Sequence, residues 1–143
     1  MRIANTIAAI ILLGAGSVFA FSDNGDNTIT DSRTGLVWQK LNDSTTARTW
    51  ESAITYCEGL TLSGQSDWRL PNVKELKTIV DNTKYSPAIN TTYFPNTQQN
   101  NYWSSTTEAG YDNYLARYVD FYDGTVFFYS KTGSAYVRCV RGQ

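Results

Sequence analysis

Apolar residues recur along this chain with two different periods, and the change from one to the other organises it. Thr28-Ile29-Thr30 and Leu36 to Lys40 read as short strands with the turn formers Asp31 to Gly35 between them, which predicts a hairpin. The run Ser22 to Asn27 ahead of it reads as a solvated turn. Trp50, Ala53, Ile54, Cys57 and Leu60 follow at helical spacing, behind Thr49 as a cap and with Glu51 in the first turn. Gly59 and Ser63-Gly64 end that helix. Asn72 with Glu75 three residues on is a capping pair. It predicts a second helix with Val73, Leu76, Ile79 and Val80 inward and Lys74 and Lys77 toward water. Residues 81–101 are rich in Asn, Thr and Gln, a long loop anchored by Ile89, Tyr93 and Phe94.

From Tyr102 the period becomes two. Strands are expected at Tyr102 to Thr106, Tyr114 to Phe121, Thr125 to Ser130 and Ala135 to Arg141, with turns at Asp123-Gly124 and Lys131 to Ser134. On the second of these, Leu115, Arg117, Val119 and Phe121 fall on one side and Ala116, Tyr118 and Asp120 on the other. Helices early and a meander late predict a single α+β domain, two helices packed on a small twisted, mainly antiparallel sheet.

The first twenty residues read as an address. Met1 and Arg2 give a positive start, Ile7 to Leu13 are apolar, and Val18-Phe19-Ala20 places small residues where a signal peptidase reads. Residues 1–20 are therefore expected to be a signal peptide, and residues 21–143 one exported domain, periplasmic or secreted. Asn5 and Thr6 leave the apolar stretch short of the ~20 residues a membrane span needs. Export gives Cys57 and Cys139, the only cysteines, an oxidising compartment. One disulfide is the economical reading, tying the first helix to the last strand. Neither cysteine has the histidine or CxxC partner of a reactive thiol.

Composition narrows the chemistry. With 143 residues, 41% hydrophobic and 17% charged, the chain has the apolar content for one core and too little charge for disorder. Lys and Arg number 12 against 13 Asp and Glu, so the whole chain offers nucleic acid no electrostatic footprint. It contains no histidine, which removes Ser-His-Asp and Cys-His nucleophiles and imidazole metal sites. Asp23 to Asn27 lacks the closing glutamate of an EF-hand loop. No cofactor or metal is expected. Asp112, Asp120 and Asp123 cluster late, with Glu51, Glu58, Glu75 and Glu108 elsewhere, and none forms an evident acid–base pair. An envelope enzyme using two carboxylates is thus the second reading, behind a non-enzymatic one. Trp38, Trp50, Trp68 and Trp103 are expected in the core.

Several strings point to a family: Thr34 to Trp38, Trp50 to Cys57, Asp67 to Asn72 with Glu75-Leu76, Tyr102 to Ser105, and Val137 to Arg141. In order and spacing they resemble the C-terminal domain of collagen-like bacterial adhesins, the Lcl C-terminal domain family. The resemblance implies a C-type-lectin-like fold with a disulfide from the first helix to the last strand. It also implies attachment, since characterised collagen-like relatives bind sulfated polysaccharides. Calcium-dependent lectins use carboxylate-bearing strings where this chain has Phe94-Pro95-Asn96 and Trp103-Ser104-Ser105, so binding without calcium is expected. This chain has no collagen Gly-X-Y segment.

The late hairpins carry the binding signal. Tyr118, Asp120, Tyr122, Phe127 and Tyr129 with Lys131 are expected to form an outward recognition face, because tyrosine presents a rigid amphipathic surface at low entropic cost. Arg117, Lys131, Arg138 and Arg141 are expected to supply a modest basic patch for sulfate or phosphate. The expected function is an exported adhesion module recognising a cell-surface or extracellular glycan, sulfated or not, or a protein. A self-associating structural module is the third reading, and residues 81–101 are the alternative site.

Overall fold

Asp31 to Gly35 turns the chain tightly, with the Gly35 N–H donating to the Asp31 carbonyl at 2.8 Å. The flanking strands β2 (Thr28–Asp31) and β3 (Leu36–Gln39) therefore pair antiparallel, with Ile29 opposite Trp38. The structure, a computed structural model, describes residues 20–143; the stretch read as a signal peptide lies almost wholly outside the described residues. Ahead of the hairpin, β1 (Phe21–Asp23) pairs with β2, Phe21 opposite Asp31. The sequence reading placed a turn there, because a three-residue strand written in turn-forming letters gives no alternation to detect.

Both helices start where their caps predict. The Thr49 side chain accepts the Ser52 N–H to open α1 (Trp50–Glu58), which buries Ala53 and Cys57 and ends at Gly59. Asn72 and Glu75 form a reciprocal capping box at the start of α2 (Val73–Thr78). Arg69, close to Asp67 in sequence, grips Glu75 in a two-pronged pair, at 2.8 and 2.7 Å, and also donates to the Gly142 carbonyl at 2.8 Å. Those bonds hold the Glu75 carboxyl below its usual range. Asp67 pairs with Arg141 at 2.7 Å. Lys77, expected in water, is half-buried and donates to the Gly124 carbonyl.

The remaining strands form two sheets where one was expected. β4 (Asn101–Thr107), β5 (Leu115–Asp120) and β6 (Thr125–Ser130) make a three-stranded antiparallel sheet in that order. β7 (Val140–Arg141) joins β1, β2 and β3 in the order β1-β2-β3-β7. The expected long strand from Ala135 to Arg141 is divided between them: Ala135 bridges to Arg48, Tyr136 bridges to Tyr102 of β4, and only Val140 and Arg141 pair with β3. The segment crosses from one sheet to the other, with Val137, Arg138 and Cys139 fully buried on the way.

Two apolar clusters hold these layers. One joins Ile29, Trp38, Leu76, Phe94, Val119 and Phe121; the other joins Cys57, Trp68, Leu70, Trp103, Ala116 and Cys139. Cys57 and Cys139 are bonded, as read from the sequence, with Cα atoms 5.5 Å apart across 82 residues. The 81–101 loop is pinned by fully buried Ile89 and Phe94, also as expected. Trp38, Trp68 and Trp103 are core residues, whereas Trp50 is half-buried at the rim.

Candidate functional site

The β5–β6 hairpin turns at Asp123-Gly124. Gly124 has φ +83°, and a Cβ there would meet the Val80 side chain at 2.5 Å, so only glycine lets the turn lie against α2's end. Its N–H donates to the Asp120 carbonyl at 2.7 Å and fixes the register. Asp120 then stands opposite Thr125, Tyr118 opposite Phe127, and Ala116 opposite Tyr129. On the other side of β5, Asn101 faces Asp120 and Trp103 faces Tyr118. Because side chains alternate, these residues share one face, in rungs that are polar, then aromatic. Tyr118, Asp120, Phe127 and Tyr129 thus come together as expected.

The inner end of the face is built on packing. Trp103 is buried, and the Tyr129 ring stacks on it with centroids 6.1 Å apart. The other support is Gly133, where a Cβ would stand 2.0 Å from a Tyr129 ring carbon. Any larger residue at that position would have to push the Tyr129 ring aside. The outer end is open: Phe127 is 58% exposed, Tyr122 51% and Tyr129 46%. Tyr118 packs edge-on against Phe127 at 6.5 Å. The Phe127 ring also stacks on Phe128 at 4.6 Å, and Phe128 lies 5.9 Å from Tyr111. Alternation puts Phe128 on the reverse side. The two rings nevertheless stack, a contact that the period-two reading does not allow.

One carboxylate stands in this surface. Asp120 Oδ1 accepts the Tyr122 N–H at 2.8 Å, while Oδ2 has no hydrogen-bond partner among the described residues. Burial first, and then the facing charge of Asp120 and the neighbouring Tyr129, push the Tyr118 hydroxyl pKa up.

The cationic part of the expected site is not assembled. Arg138 is 0% exposed, and its guanidinium donates to the carbonyls of Gln39 and Lys40 at 2.5 and 2.6 Å and to Thr97 Oγ1 at 2.8 Å. It also lies over the Phe94 ring at 5.0 Å. Burial pushes its pKa down to about 10, which leaves it a cation at neutral pH. Arg138 therefore cross-links the start of the loop after β3 to the 81–101 loop from inside the protein, and cannot meet a ligand on the surface. Arg117 sits on the reverse face of β5 in an ion pair with Glu108, and Arg141 is paired with Asp67. Lys131 alone is near the aromatic face. Its ammonium rests 3.9 Å above the Trp50 ring and donates to Thr107 Oγ1 at 3.1 Å.

The positions matching calcium-lectin strings are committed to the fold. The Asn96 side chain donates to the Asn42 carbonyl at 2.8 Å, and buried Ser104 donates its hydroxyl to the Arg117 carbonyl at 2.7 Å. Among the described residues no cluster of three or more His, Cys, Asp or Glu side chains is placed to hold a metal ion. Of the carboxylates weighed as catalytic acids, Glu75 and Glu108 are each in an ion pair with arginine. The 81–101 loop contributes Asp81, Asn90 and Tyr93 to a separate open cleft of about 440 Å³, lined also by Phe21, Arg33 and Val80.

The sequence model of the Lcl C-terminal domain matches residues 27–141. The chain belongs to the Lcl C-terminal domain family. No curated protein matches it. The matched segment of the Lcl C-terminal domain runs from β2 to β7, so it takes in both helices, the disulfide and the whole aromatic face, while β1 lies ahead of it. The family is adhesin-related, and the Cys57–Cys139 bond is compatible with an exported protein. Among the described residues no helix is long and apolar enough to cross a membrane.

Proposed function

We propose that this Lcl C-terminal domain is an exported, non-enzymatic adhesion module with a C-type-lectin-like fold, and that it binds its ligand through the open face of the β5–β6 hairpin without calcium. The observation that carries the reading is the exposure of Phe127 and Tyr129 two residues apart on β6, with Tyr118 edge-on against Phe127 and Tyr122 exposed at the adjoining turn. Exposed rings in contact with one another mark interaction sites, where scattered ones would not. Of the carboxylates that could serve catalysis, Glu75 and Glu108 are paired with arginines, and the residues at the calcium-lectin positions bond to backbone. The adhesin-related family supports an extracellular partner.

The test is retention of the disulfide-bonded domain on mixed arrays of glycans and matrix proteins, with and without EDTA. The expected result is binding that chelation leaves unchanged and that Phe127→Ala and Tyr122→Ala each weaken at least tenfold while the fold, read by circular dichroism, is intact. Loss of retention in EDTA with recovery in calcium would overturn the metal-free reading. Folded variants that bind as before would move the site to the 81–101 loop.

A further inference from the structure

We propose that this face takes an uncharged glycan chain, its sugar rings stacked on Tyr118, Phe127 and Tyr129 and its hydroxyls held by Asp120. The proposal rests on the reading of the face as the binding surface and adds the chemical class of the ligand. Phe127 and Tyr129 are two residues apart on one strand, hence about 7 Å, with Tyr118 on the rung opposite Phe127. Phe127 and Tyr129 are each about half exposed, and with Tyr118 they offer electron-rich ring surface, which attracts the C–H side of a pyranose. Beside the aromatic rung lies a polar one of Asn101, Asp120 and Thr125: an amide, a carboxylate and a hydroxyl. The Asp120 Oδ2 oxygen is unshared among the described residues and accepts strongly from hydroxyl donors.

Charge selects against two other occupants. A sulfated chain needs cations, yet Arg117 is on the reverse face, Arg138 is inside, and Lys131 is held over Trp50. Asp120 and Asp123 would repel its sulfates. A second copy of this face would set aromatic rings over the Asp120 carboxylate and leave its free oxygen desolvated at a cost. A sugar supplies the missing donors.

Affinity electrophoresis of the native domain through gels carrying hydroxyethylcellulose, xylan, glucomannan, dextran sulfate or heparin tests this, with sedimentation velocity on the same samples. The expected result is retardation by at least one neutral polysaccharide that persists when salt is raised tenfold. Phe127→Ala should abolish it. Asp120→Asn should weaken it several-fold, since asparagine keeps the bond to the Tyr122 N–H and removes only the charge. Retardation by the sulfated polymers alone, weakening with salt, would overturn the neutral class. So would a dimer that Phe127→Ala converts to monomer while no polysaccharide retards it, although the face itself would then stand as the binding surface. If Phe127→Ala matches the native domain in every gel and in sedimentation, the face and the ligand class both fail.

Discussion

Replacing Cys57 and Cys139 together by serine will lower the stability of the domain by about 4 kcal/mol in the chain-entropy account of cross-links. The bond closes a loop of 82 residues, so its loss releases a long stretch of unfolded chain. It also joins two elements that nothing else ties covalently, α1 and the crossover segment leading into β7, and both cysteines are fully buried within the Trp68 and Trp103 cluster. Urea unfolding of the native protein and the double variant reads the difference. The slope against urea should steepen too, because the unlinked chain exposes more surface when it unfolds. A loss below about 1 kcal/mol would mean that the unfolded chain stays compact without the bond.

The second large effect belongs to Arg138. Truncating it to alanine will cost about 3 kcal/mol or more, because the Gln39 and Lys40 carbonyls and Thr97 Oγ1 lose charge-assisted donors inside the protein and a cavity opens beneath Phe94. Arg138→Met will cost less than alanine. It fills much of the volume and removes a buried cation that has no carboxylate partner among the described residues. Equal losses for the two variants would show that the hydrogen bonds, and not the packing, carry the stability. Denaturant midpoints at a single pH near neutrality distinguish these outcomes.

Much of this architecture is written locally. Thr49, Asn72 and Glu75 announce both helices because capping is decided within one turn, and Asp123-Gly124 announces the hairpin for the same reason. The shared face of Tyr118, Phe127 and Tyr129 follows from alternation once that turn sets the register. The same alternation already separates Arg117 from Tyr118, so the basic patch was refutable from the chain itself. Arg138 was not. Arginine in a strand of period two reads as outward, and only the passage of residues 135–139 between two sheets, covered on both sides, buries it. Choosing Glu75 over Asp67 for Arg69 likewise depends on where α2 docks, which neighbouring letters do not encode. The stacking of Phe128 on Phe127 and the seat of Tyr129 against Gly133 depend on side-chain packing, which alternation does not encode.

Hydroxyl-radical footprinting tests the binding face most directly, with the domain free in solution and then held on beads bearing the array glycan or protein that retains it. Oxidation at Tyr118, Tyr122, Phe127 and Tyr129 should fall together on binding, while Tyr85, 76% exposed on the 81–101 loop, stays as reactive as before. Protection of Tyr85 and Tyr93 with the hairpin rings unchanged would place the ligand on that loop and contradict the account.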